Sequence, residues 1–216
     1  MFPAFLGAPR SLVAPPPGVR RKATRAIGGA PTADATSFRV QPQTQGNWCW
    51  AAVSTSVSLF YSNGSPWTQC SVADAELARS DCCRSGASGP CNIPWYLDRA
   101  LTRVGCFAGI TASASSVATV QAEVAAVQVL CLRIGWFGGG GHFIAIAGWF
   151  TGAGGMIYIE VEDPISGTIQ LPYTTLVSSY QNAGRWTHSY LTIASGTRSL
   201  GSGDGKLPAV RSPKGG

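Results

Sequence analysis

Gln41-Pro42-Gln43-Thr44-Gln45-Gly46-Asn47-Trp48-Cys49-Trp50-Ala51-Ala52-Val53-Ser54-Thr55-Ser56-Val57-Ser58-Leu59-Phe60-Tyr61 is a polar, turn-prone lead that passes into apolar residues at helical spacing, Val53, Val57 and Phe60 or Tyr61. The pattern predicts a helix that starts near Cys49, is capped by Asn47 and ends at Asn63-Gly64. Cys49 then lies in the first turn, where unpaired backbone N–H groups and the positive end of the helix dipole favour a thiolate, the nucleophilic form. A cysteine read without context is more often a small buried side chain, so a nucleophile here requires a base elsewhere in the chain.

Only two histidines are present, His142 and His188. His142 follows Gly138-Gly139-Gly140-Gly141 and precedes Phe143-Ile144-Ala145-Ile146-Ala147-Gly148-Trp149, an apolar run of strand length with the imidazole at its start. The glycines do not form a phosphate loop, because no Gly-Lys-Ser/Thr follows and a strand comes next. His188 sits inside the alternating run Trp186-Thr187-His188-Ser189-Tyr190 and reads as an ordinary strand histidine. An imidazole that acts as a base is held by a third group, and Met156-Ile157-Tyr158-Ile159-Glu160-Val161-Glu162-Asp163-Pro164 ends with one. Pro164 cannot continue a central ladder, so Asp163 is expected at the rim. Alternation sends Glu160 and Glu162 to the opposite face, where solvated charges are expected. Cysteine, histidine and carboxylate in this order are the parts of a thiol hydrolase.

These residues resemble the papain-like cysteine peptidases, and more narrowly the bacterial branch that includes plant-pathogen effector proteases of the AvrRpt type. Gln43-Thr44-Gln45-Gly46-Asn47-Trp48-Cys49-Trp50-Ala51-Ala52 is similar to that branch's nucleophile motif, Gly141-His142 with its apolar strand to the base, and Asp163-Pro164 to the orienting acid. Gln69-Cys70, Cys82-Cys83 and Cys91-Asn92 resemble its cysteine-rich insert. The resemblance spans about residues 38–192. It implies an α+β fold in which a helical left subdomain, headed by the Cys49 helix, faces a right subdomain of antiparallel strands across an active-site cleft. It also implies a catalytic set of Cys49, His142 and Asp163. Gln43, six residues before the nucleophile, is preferred over Gln45 as the oxyanion donor. The periodicity agrees with helices first and strands after: Val72–Arg79, Ile93–Val104 and Ser116–Ala126 read as helices, and Leu130–Trp136, Phe143–Trp149, Met156–Val161, Thr168–Pro172 and Trp186–Ile193 as strands.

Beyond Cys49 there are six cysteines. Adjacent Cys82 and Cys83 would strain a bridge to each other, so two disulfides are expected across Cys70, Cys82, Cys83 and Cys91. None is spaced as a structural zinc site, and neither metal nor cofactor is expected. Cys106 and Cys131 read as buried thiols.

The 216 residues suit one ordinary domain with flanking segments. Apolar residues make up 45% and charged residues 12%, which supports a folded core and excludes disorder throughout. The formal charge of +6 suggests a phosphate partner until it is divided along the chain. Residues 1–36 hold five basic groups and one acid, residues 197–216 four and one, and the remainder seven basic against eight acidic groups. The basicity therefore belongs to the ends, and no nucleic-acid partner is expected. Residues 1–36, rich in proline, read as a flexible arm and pro-segment, residues 37–196 as the peptidase domain, and residues 197–216 as a flexible Gly/Ser/Pro tail. Gly28-Gly29, between small residues at the end of the arm, is a candidate site for self-processing. The apolar stretches Val124–Phe137 and Phe143–Phe150 are short or interrupted by Gln128 and Arg133, so no membrane span is expected.

Disulfides point to an oxidising destination, whereas Met1 to Leu6 lacks a basic start and an apolar continuation. Secretion by a non-classical route reconciles the two, with a cytoplasmic location as the other outcome. The expectation is a monomeric, secreted cysteine endopeptidase with a polypeptide substrate. The rivals are a thiol enzyme that transfers the acyl group to an amine, as transpeptidases and transglutaminases do, and an inactive disulfide-stapled binding module.

Overall fold

The structure, a computed structural model, describes residues 34–196. The Gly28-Gly29 dipeptide, most of the arm and the whole tail lie outside these residues. Helices come first: α1 (Cys49–Tyr61), α2 (Gln69–Leu77), α3 (Cys82–Ser85) and α4 (Leu97–Arg103) precede most of the strands. The strands are β1 (Asp34–Ala35), β2 (Phe107–Thr111), β3 (Leu130–Trp136), β4 (Gly141–Thr151), β5 (Ile157–Asp163), β6 (Gly167–Pro172) and β7 (Gly184–Thr192). Helices α5 (Val117–Ala125) and α6 (Tyr173–Ser178) interrupt them. All pairings are antiparallel, in the order β2-β7-β3-β4-β5-β6, with β1 beside the far end of β4. The chain is thus a mixed helical and antiparallel-sheet α+β fold. Because Asp34 and Ala35 pair with Trp149 and Gly148, the sheet takes in the last residues of the stretch read as arm.

Local chemistry explains where the elements begin. Thr68 caps α2 reciprocally with Ser71, so that helix starts three residues ahead of the expected Val72. In the run read as a helix over Ile93–Val104, Ile93 precedes Pro94, which disfavours the helical region, and α4 starts only at Leu97 after an extended Tyr96. Ser116, read as the first helical residue, instead caps α5, its side chain accepting the Thr119 N–H.

Two apolar clusters meet at the sheet. Trp48, Trp50, Val53 and Val57 of the α1 region pack with Leu97 and Leu101 of α4 and with Cys131, Phe143 and Tyr190 of the strands. Leu130, Leu132, Ile134, Ile144, Ile146, Ile159 and Val161 pack with Val120 and Val124 of α5 and with Leu176 and Tyr180. Strands β3 and β4 feed both clusters, which explains why their sequences run apolar without alternation. Among the described residues no helix is long and apolar enough to cross a membrane.

One expectation about β5 is corrected. Glu162 is 2% exposed, not a solvated surface charge. Its carboxylate accepts the Val40 N–H at 3.2 Å and the Thr168 hydroxyl at 2.7 Å and lies 3.7 Å from the Arg39 guanidinium. Alternation placed it correctly on the face opposite Asp163, but that face is covered by the chain that runs from β1 toward α1. This strap is tied down along its length: the Thr36 N–H donates to Ala147, Gln41 to the Ser56 hydroxyl, and Gln43 to the carbonyl of Pro164.

Cys70 is bonded to Cys83 and Cys82 to Cys91, while Cys49, Cys106 and Cys131 are free and buried. Burial pushes the thiols of Cys106 and Cys131 up, which leaves them poorly reactive. Alkylation of the denatured, unreduced protein should therefore modify three of the seven cysteines, and alkylation after reduction all seven. Peptide mapping that found a fourth thiol free before reduction would contradict the two bridges.

Candidate active site

The side chains of Cys49, His142 and Asp163 come from three separate elements. Cys49 opens α1, His142 is the second residue of β4, and Asp163 is the last of β5. The turn between β3 and β4 carries Gly139 and Gly140 at φ of 93° and 86°, backbone that side-chain-bearing residues rarely adopt. Gly141 serves differently, since a Cβ there would stand 2.6 Å from the Arg133 guanidinium. That guanidinium donates to the Gly140 carbonyl at 2.9 Å and the Thr187 hydroxyl at 3.0 Å and so braces the turn just ahead of His142.

His142 and Asp163 are each 2% exposed, and His142 Nε2 lies 2.8 Å from Asp163 Oδ1. Nε2 is turned to the carboxylate, which leaves Nδ1 for the neighbouring Cys49. Burial works against a charged imidazole, but the Asp163 carboxylate and then Cys49 outweigh it and push His142 up to about 10. Burial likewise opposes the Asp163 charge, and His142, Tyr180 and the Ile165 N–H overcome it and hold the carboxyl below its ordinary range. The arrangement stores a proton on His142 beside a sulfur, within a dry surround.

Asp163 is held by more than the histidine. Its Oδ1 accepts the backbone N–H groups of Ile165 at 2.7 Å and Ser166 at 3.1 Å, and its Oδ2 accepts the Tyr180 hydroxyl at 2.7 Å. The Trp136 ring stacks on His142 at 6.0 Å with an interplanar angle of 15°, and also meets Tyr180 at 6.3 Å. Sequence reasoning missed Tyr180 and Trp136. Trp136 ends the strand that precedes the glycine turn, a visible cue, whereas Tyr180 lies in a Tyr-Gln-Asn-Ala-Gly turn with no signal linking it to Asp163.

The Cys49 end is built differently from expectation. Trp48, not Asn47, is the N-cap residue of α1, and no side chain caps the helix. Asn47 is occupied elsewhere: its N–H donates to Asn92 Oδ1 at 2.9 Å and its side-chain amide to the Asn92 carbonyl at 2.7 Å. Trp48 Nε1 donates to the Cys91 carbonyl at 2.7 Å and Trp50 Nε1 to that of Ile93 at 3.1 Å. Gln43 stands beside the acid through its N–H bond to Pro164. Its amide nitrogen donates to the carbonyls of Gln45 and Gly46, each at 2.8 Å, and its Oε1 is buried without a partner. Gln69 of α2 fixes this lead by donating to Pro42 and accepting from Thr44, at 2.9 Å each. His188 stays apart from this group, within β7 beside Arg133; burial and the Arg133 charge depress it.

Two measurements follow from this geometry. His142 is raised above its ordinary value of 6.5, so its pairing stabilises the fold in full below pH 6.5 and loses that contribution as pH rises through about 10. Asp163 is lowered, so its part is present above its ordinary 3.8 and is lost as pH falls below that value. Urea unfolding of Asp163→Asn against the parent should show the largest deficit between these limits and a shrinking one toward pH 10; a deficit independent of pH would refute the ion pair. Tyr180→Phe removes one bond to a buried carboxylate, worth roughly 1.5–3 kcal/mol. It should lower the thermal midpoint and slow alkylation of Cys49, while leaving the circular dichroism spectrum unchanged.

The family model described as papain-like cysteine protease AvrRpt2 matches residues 32–182. No curated protein matches the chain. The match takes in Cys49, His142, Asp163 and both disulfides and covers well over half of the 216 residues, and the chain belongs to the papain-like cysteine protease AvrRpt2 family.

Proposed function

We propose that the protein is a cysteine endopeptidase in which Cys49 is the nucleophile, His142 the general acid and base, and Asp163 the residue that orients the imidazole. The observation that carries this reading is the buried His142–Asp163 pair at 2.8 Å, which leaves the other ring nitrogen for Cys49. The Cys49 sulfur attacks the scissile carbonyl, and His142 gives its proton to the leaving amine. His142 then takes a proton from water, which attacks the thioester and frees Cys49. Asp163 keeps its negative charge throughout and fixes Nε2–H, so that Nδ1 is the nitrogen that exchanges protons with sulfur and substrate. The order of the chain, helices α1 to α4 ahead of most of the strands, agrees with the expected pair of subdomains with the substrate cleft between them.

Gln43 and the Cys49 N–H form the oxyanion hole in this reading. The uncapped start of α1 leaves its first amides without a competing side chain. The Gln43 amide already donates to Gln45 and Gly46, so an oxyanion replaces one of these two acceptors. The active form is monomeric, works after secretion and serves as an effector; the two disulfides suit an oxidising destination. Self-processing at Gly28-Gly29 releases the arm.

Incubation with an epoxysuccinyl peptide-like inactivator, followed by peptide mapping, tests the reading directly. The adduct should fall on Cys49 alone and vanish in His142→Ala; a folded parent without adduct would give the lead to the binding-module reading. Gln43→Ala should retain the fold and lose about 10²–10³ in turnover, the usual cost of removing one oxyanion donor. Parent-level turnover in that variant would move the oxyanion role away from Gln43.

A further inference from the structure

Three successive carbonyls hold the nucleophile from one side. Cys91, Asn92 and Ile93 accept, in order, from Trp48 Nε1, the Asn47 side-chain amide and Trp50 Nε1, and Asn92 Oδ1 also accepts the Asn47 N–H. The donors are the two residues before Cys49 and the one after it. The acceptors belong neither to a helix nor to a strand. Residue 91 is bonded to Cys82, whose N–H donates to Asp74 of α2 at 2.8 Å. Close packing completes the cradle: a Cβ on Gly86 would stand 3.0 Å from the Trp48 ring and 3.1 Å from Gln45 Nε2.

The second bridge is placed differently. Cys83 is exposed, whereas Cys82 is 2% and Cys91 0% exposed. A soluble thiol therefore meets the Cys70–Cys83 bridge at the surface and reaches Cys82–Cys91 only when the segment opens.

We propose that the Cys82–Cys91 disulfide is a positioning element of the active site, so that the protein turns over only while this pair is oxidised and Cys49 is reduced. The inference rests on Cys49 being the nucleophile. Reduction by a dithiol proceeds by thiolate attack on one sulfur of the bridge, which forms a mixed disulfide, after which the second thiol of the reductant closes its own disulfide. Two electrons and two protons pass to Cys82 and Cys91. Residues 91–93 then lose their covalent tie to α3, and the indole and amide donors that flank Cys49 lose fixed acceptors. Strong reductant consequently switches the protein off, the reverse of its ordinary effect on a thiol enzyme.

The test uses the full chain, the epoxysuccinyl inactivator and a fluorogenic casein. In a buffer of reduced and oxidised dithiol of graded ratio, casein cleavage and the inactivation rate at Cys49 should fall by tenfold or more as mapping shows thiols at Cys82 and Cys91. Opening of Cys70–Cys83 alone should change both less than twofold. Cys82→Ser/Cys91→Ser should lose at least tenfold in the limiting inactivation rate per folded molecule, with the half-saturating inactivator concentration within threefold of the parent. Cys70→Ser/Cys83→Ser should stay within twofold of the parent. If the loss in the inner-pair variant merely tracks its unfolded fraction, the bridge is structural only and the proposal falls. Should that variant fail to fold, Asn92→Ala keeps the bridge and removes one acceptor; a limiting rate equal to the parent's would overturn the proposal. An oxidised parent that neither labels at Cys49 nor cleaves casein sinks the peptidase reading and this inference with it. Labelling that is indifferent to the inner bridge sinks this inference alone.

Discussion

A carboxylate buried away from water is tolerated only when its oxygens are satisfied, and Asp163 is the point at which this chain meets that demand. Its partners come from β4, from the turn after β5 and from the segment ahead of β7. Each of those segments must be in place before the charge is compensated. The ion pair with His142 is thus a constraint on the strands as much as a chemical device, and its burial keeps the attraction from being weakened by water.

Glu162 and Asp163 are neighbours in one strand, equally buried, with opposite outlooks. Asp163 serves the site, while Glu162 holds the strap that delivers Gln43. A single strand end therefore aligns His142 from one face and the approach to Cys49 from the other. The strap in turn bonds back to Pro164, immediately after the acid. The start of α1 is free of a side-chain cap because Asn47, the obvious candidate, is spent on Asn92.

Much of this was legible in the residues. The apolar run after His142 and the proline after Asp163 mark strand ends by local rules, and β3 falls where periodicity put it, at Leu130–Trp136. Proximity of Cys49, His142 and Asp163 was legible only through order and family resemblance, since they are far apart in the chain. The misreadings have a common cause in contacts between distant segments. Asn47 looked like a cap because its partner Asn92 lies in another loop, and Glu162 looked solvated because the strap that covers it is irregular. Short elements such as α3 and β2 carry too few residues for a periodic signal, and the pairing of Cys82 and Cys83 in different directions depends on their successive places on α3.

The strand order carries a consequence in time. β7 is the last strand of the described residues, yet it lies between β2 and β3, and both of them stand with unpaired edges until Gly184–Thr192 has been synthesised. The segment that contributes Tyr180 arrives only shortly before it. Closing such distant pairings is slow compared with local helix formation. A nascent chain on the ribosome consequently carries Cys49 long before it holds a completed sheet.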